Sequence, residues 1–181
     1  MLTITVPGRE MWDEELEEFI CTPSQTLQLE HSLVSLSKWE EKWHRSFISS
    51  KQEKTYEETI DYIRCMTVTQ NVNPLIYSAL TRENIEAINK YIQEPMTATY
   101  VPEDKSAKSN KESVTAELIY YWMFASGIPY ECRKWHLNKL LTLIRVCSLK
   151  SSPPKKRSRR EVASQNAAIN AARRAQLNSK G

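Results

Sequence analysis

The chain has 181 residues, 40% of them hydrophobic and 26% charged, enough for one domain of ordinary size followed by a tail. Only three glycines occur, Gly8, Gly127 and Gly181; tight hairpins and phosphate-cradling loops lean on glycine, so all-β folds and nucleotide-binding loops are disfavoured. The net charge of +3 is unevenly spread: from Lys150 to Gly181 nine basic residues face one acid, which gives +8 and leaves −5 on Met1 to Leu149.

In chain order, Leu2, Ile4 and Val6 alternate with threonines, predicting a short strand closed at Pro7-Gly8. The stretch Glu10 to Glu18 is acidic around Met11, Trp12 and Leu16. Gln25 to His31 alternates again and is expected to pair with the first strand. Leu33, Leu36, Trp39, Trp43 and Phe47 then recur at three- and four-residue steps between charged residues, which predicts an amphipathic helix. Thr55 and Glu58 have capping-box spacing ahead of Ile60 and Ile63. Asn73-Pro74 predicts a turn or helix start, and Thr81 a cap for a helix carrying Ile85, Ile88 and Ile92 that Pro95 ends. Met96 to Val101 reads as a third short strand, and residues 102–112 as a solvated hinge.

Ser113 is expected to cap a helix through Leu118, Trp122 and Phe124 that stops at Gly127-Ile-Pro129. Another helix is predicted from about Glu131 to Leu149, with Trp135, Leu140, Ile144 and Cys147 on its apolar side. Both are apolar on most faces, so they are expected at the centre of the core. Four of the five tryptophans are expected inside, with Trp12 exposed. The fold class is therefore mainly α: a compact helical domain over 1–149 with a small β element near its N-terminus, then a proline-led spacer and a basic helical arm over 150–181.

The same residues offer only weak catalytic or metal-binding patterns. Cys132 and His136 share a face if one helix runs through both, but no second ligand pair follows at zinc spacing, and no orienting acid accompanies them for nucleophilic work. Two buried thiols and a satisfied histidine are the plainer reading of Cys132, Cys147 and His136. The expectation is a binding protein without catalytic residues, metal or cofactor. The four scattered cysteines, the absence of a basic leader and of any apolar run near the ~20 residues of a membrane span point to a reducing cytoplasm and no membrane.

The arm carries the chemistry. Lys155, Lys156, Arg157, Arg159 and Arg160 form a cluster ahead of an alanine-rich helix in which Arg173 and Arg174 follow. Such a helix suits phosphates or an acidic groove on a protein. A solvated basic tail is the plainest reading, then a protein partner, then nucleic acid. The lack of aromatics in the arm for base stacking sets protein ahead of nucleic acid.

Three stretches carry a resemblance: Glu30-His-Ser-Leu-Val-Ser-Leu-Ser-Lys-Trp-Glu40, Glu117 through Cys147, and Asn166-Ala-Ala-Ile-Asn-Ala-Ala-Arg-Arg-Ala-Gln-Leu-Asn-Ser-Lys-Gly181. They resemble proteins of tailed bacteriophages in the tail-morphogenesis group, specifically tail assembly chaperones. That resemblance implies a non-catalytic protein of the host cell cytoplasm, which coats the tape-measure protein, or another phage tail protein, until the tube polymerises, with self-association as a further option. It adds Leu177 and Asn178 to Arg173 and Arg174 as expected contacts. The rival expectations are a structural tail or connector component of the virion and a nucleic-acid-binding regulator acting through the arm.

Overall fold

The computed structural model describes residues 1–13, 18–99 and 113–151, and in the arm Ala163, Asn166, Ala167, Asn170 and Arg174. The fold is mainly α with a small N-terminal β element. The chain divides into two compact units, Met1–Leu149 and Lys150–Gly181. No helix among the described residues is long and apolar enough to cross a membrane.

Strands β1 (Leu2–Val6) and β4 (Gln25–Leu29) pair antiparallel as their alternation predicts, burying Ile4, Val6, Leu27 and Leu29 on one face. The acidic stretch contributes two further strands: β2 (Arg9–Asp13) and β3 (Glu18–Thr22) pair there as well. Leu2 opposes Leu29 and Arg9 opposes Thr22, so both ladders keep one register and form a single ribbon. The ladder lapses where Pro7 and Pro23 lack N–H donors. A Cβ on Gly8 would stand 2.7 Å from the Thr22 carbonyl oxygen, so the strands close there only around glycine.

Helix α1 (Leu33–Trp43) follows directly and is capped by Ser32. Its side chains serve two apolar clusters. Trp39 joins the ribbon, α2 (Tyr56–Met66) and α3 (Arg82–Gln93); Leu33 and Leu36 join α4 (Ala116–Ala125) and α5 (Leu137–Ser151). The predicted capping box forms at Thr55/Glu58, the predicted cap Thr81 forms a box of its own with Asn84, and Asn73 caps a 3-10 turn, Pro74–Ala79. Met66 and Gln28 carbonyls accept from Glu30 N (2.9 Å) and Val68 N (2.8 Å), so the strand end and the exit of α2 are tied together.

Four expectations need correction. Met96 adopts a left-handed backbone (φ 51°), and residues 96–99 form no strand; Tyr100, Val101 and the hinge 102–112 lie outside the described residues. Thr115 rather than Ser113 caps α4, its hydroxyl accepting from Leu118 N. Gly127 (φ 66°) does end that helix, and Ile128 N reaches back to the Met123 carbonyl at 3.0 Å. The last predicted helix is broken: a 3-10 turn, Tyr130–Lys134, gives way to extended backbone at Trp135 before α5 begins. Trp135 is consequently turned outward, 39% exposed, and α4, which buries Ala116, Ile119 and Met123, leaves Tyr121 and Phe124 exposed instead of burying most of its faces. Trp39 is fully buried, Trp43 and Trp122 are half-buried, and the side chain of Trp12 lies outside the described residues.

Candidate partner-binding surface

Of the arm residues singled out from sequence, Lys155, Lys156, Arg157, Arg159, Arg160, Arg173, Leu177 and Asn178 lie outside the described residues. Arg174 is helical and exposed, and its Nε donates to the Asn170 carbonyl one turn earlier at 3.4 Å.

In the first unit, α4 sends Ala116, Ile119 and Met123 inward at helical spacing. The helix carries more large apolar residues than one stripe can hold. Tyr121 and Phe124 are therefore left 66% and 57% exposed, and Tyr130 of the second 3-10 turn is 46% exposed beside them. Tyr120, Phe124 and Tyr130 form an aromatic stack with centroids 6.0 to 6.4 Å apart. Arg133 lies over the Tyr130 ring at 3.9 Å and donates from Nη1 to the Tyr130 hydroxyl. Lys139 lies over Trp135 at 4.3 Å. The sequence pattern places Phe124 and Trp135 in the core. The signal against it was the all-round apolar character of α4, which a helix covered on one side cannot bury.

Arg133 also borders a cleft of about 490 Å³, between the start of α1, the end of α2 and the second 3-10 turn. Lys38 and Lys134 line it as well, and Val34, Met66 and Val68 supply apolar wall. Its acid, Glu30, is engaged: Tyr91 Oη donates to one oxygen at 2.7 Å, and the Met1 amino group sits 3.1 Å from the other. Cys65 is in the wall, its thiol pushed up to about 11 by burial and by the nearby Asp61 charge, so it stays protonated at neutral pH.

Cys132 and His136 do not share a helix. Cys132 is buried in the second 3-10 turn among apolar side chains, whereas His136 precedes α5 and faces the other way. His136 Nδ1 accepts from Asn138 N at 3.3 Å and Nε2 lies 3.0 Å from the Tyr91 carbonyl, which fixes the proton on Nε2. His31 packs edge-on against it, centroids 5.1 Å apart, with Nδ1 2.5 Å from the Tyr62 hydroxyl. Burial, then the neighbouring His136, lowers the His31 pKa to about 4; burial also lowers that of His136. This pair is a structural seam: Leu137 N donates to the His31 carbonyl at 2.7 Å, and Asn138 Nδ2 donates to the Ile92 and Glu94 carbonyls at the end of α3. Among the described residues no three His, Cys, Asp or Glu side chains are grouped to hold a metal ion.

A scan against protein-family models found no match, and comparisons with curated proteins and with solved structures found none either.

Proposed function

We propose that this chain is a non-catalytic binding protein of phage tail morphogenesis, a chaperone that holds the tape-measure protein in the host cytoplasm until the tail tube forms around it. The observation that carries this reading is the exposed aromatic surface of α4 and the second 3-10 turn, Tyr121, Phe124 and Tyr130. It falls inside the Glu117–Cys147 stretch on which the resemblance to tail assembly chaperones rests. Tyrosine and its aromatic relatives supply large contact area for few frozen torsions, which suits a surface that must hold a long helical client and later release it. Several weak contacts along such a client add through avidity, so no single deep pocket is needed.

The test is co-expression with the tape-measure protein of the same phage genome. The client is expected to remain soluble with the wild-type chain and to aggregate with a Tyr121→Ser/Phe124→Ser/Tyr130→Ser variant. A client that aggregates equally with both ends the reading. Stoichiometric recovery of the chain in purified particles would instead support a structural tail component.

A further inference from the structure

We propose that the cleft beside the aromatic stack recognises carboxylates, and that the partner segment seated on this surface is an acidic, amphipathic protein helix. The inference deepens the binding function proposed above and rests on it. The cleft gathers Lys38 from α1 and Arg133 and Lys134 from the second 3-10 turn. Among the described residues none of the three makes an ion pair. Lys38 and Lys134 are exposed, whereas the Arg133 Nε is buried without a hydrogen-bond partner. Buried guanidinium nitrogens without acceptors are costly, and a planar guanidinium is shaped for carboxylate oxygens.

Charge selects the class of partner. The unit that holds the cleft carries −5 overall, so three cations at one place, with no ion pair among the described residues, form a local positive site on an acidic body. A long polyanion would meet that body's repulsion along its length, whereas a short acidic segment meets only the cleft. The aromatic faces are partly taken: Arg133 already covers Tyr130 and Lys139 covers Trp135, which leaves less ring surface for stacking bases. Arg133 belongs to both features, so carboxylates in the cleft and apolar side chains on Tyr121 and Phe124 can come from one helix. Residues three and four apart on that helix would supply the two kinds of side chain.

The experiment uses the full chain and a labelled synthetic helix of about five turns built from Glu, Leu and Ala, with a Lys-for-Glu version as control. Anisotropy is expected to show binding of the Glu peptide only. Lys38→Glu with Lys134→Glu should weaken it by about tenfold or more, about 1.4 kcal/mol. Lys51→Glu with Lys90→Glu, the same charge change at exposed lysines that do not line the cleft, should weaken it by less than about threefold. Arg133→Lys, which keeps the charge but removes the fork, should also weaken binding. Equal losses from both double variants, binding of the Lys peptide, or displacement of the Glu peptide by an oligothymidylate at lower concentration would overturn the inference. If the client stays soluble in co-expression while the cleft variants leave peptide binding unchanged, the cleft fails and the chaperone reading stands. If the client aggregates while peptide binding follows the cleft variants, the chaperone reading fails and the cleft stands.

Discussion

Helices α1 and α4 are both rich in aromatics, yet they treat them in opposite ways. On α1, the indole of Trp39 is fully buried and donates to the Glu58 carbonyl at 2.9 Å, while that of Trp43 donates to Asp61 at 2.9 Å. Phe47, just beyond the helix, stacks on Tyr62 with centroids 3.9 Å apart. On α4, Tyr121 and Phe124 stand outside the apolar cluster. The contrast separates aromatics that hold the fold from aromatics left exposed to solvent, and the two groups should respond to substitution in opposite ways.

The largest effect is expected at Trp39. Truncation to alanine removes a fully buried ring and its indole hydrogen bond to the Glu58 carbonyl, so thermal or denaturant unfolding should show a loss of about 3–5 kcal/mol. A loss below about 1 kcal/mol would mean that Trp39 does not hold α1 to the ribbon, α2 and α3 as its packing implies.

A second effect, of about 3 kcal/mol, is expected from acid at the histidine seam. Below pH 6.5 an unfolded His31 takes up a proton that the folded chain refuses until about pH 4. Stability is therefore full above pH 6.5 and declines as pH falls toward 4, by about 1.4 kcal/mol for each unit between the two values. The groups facing this imidazole are Tyr62 on α2, His136 before α5 and, through His136, the Tyr91 carbonyl on α3. His31→Gln should flatten the unfolding free energy over that pH window relative to wild type. Parallel pH profiles for the two chains would show that the seam does not control the acid response.

Asn138 tests the same seam with a smaller expected change. Its amide donates to the Ile92 carbonyl at 2.9 Å and to the Glu94 carbonyl at 2.8 Å, so it closes the end of α3 against the start of α5. Asn138→Ala should cost about 1–2 kcal/mol in chemical denaturation, and Asn138→Asp, which keeps the size but not the donors, at least as much. Recovery of full stability in the aspartate variant would show that the donors do not matter.

How much of this was legible follows from range. Alternation marked β1 and β4 together with their pairing, and the spacing of Thr55/Glu58 and the Gly127 stop marked helix ends, because each depends on neighbours within one turn or one strand. Strands β2 and β3 were hidden, since their acidic residues lack alternation and their pairing continues a register set by the ribbon. The break at Trp135 was hidden too: no glycine or proline marks it, and it is held by distant partners, His31 and Tyr91. The arm stands out in the sequence by charge alone. The cleft does not, because Lys38 and Arg133 are brought together only by the fold.

The smallest stability effect belongs to the open aromatics, and it decides what α4 is for. Phe124→Ser removes a ring that is more than half exposed, so the unfolding free energy should move by no more than about 0.5 kcal/mol. Met123→Ser, one residue earlier and fully buried, should cost about 3 kcal/mol or more, since it places a hydroxyl in the apolar cluster as well as leaving a cavity. Client retention in co-expression should reverse the order for protein that remains folded: Phe124→Ser loses the client, whereas a tolerated inward change such as Met123→Leu keeps it. If Phe124→Ser destabilises the chain as much as Met123→Ser does, the outer face of α4 is a structural surface, and its aromatics are not the place where a partner rests.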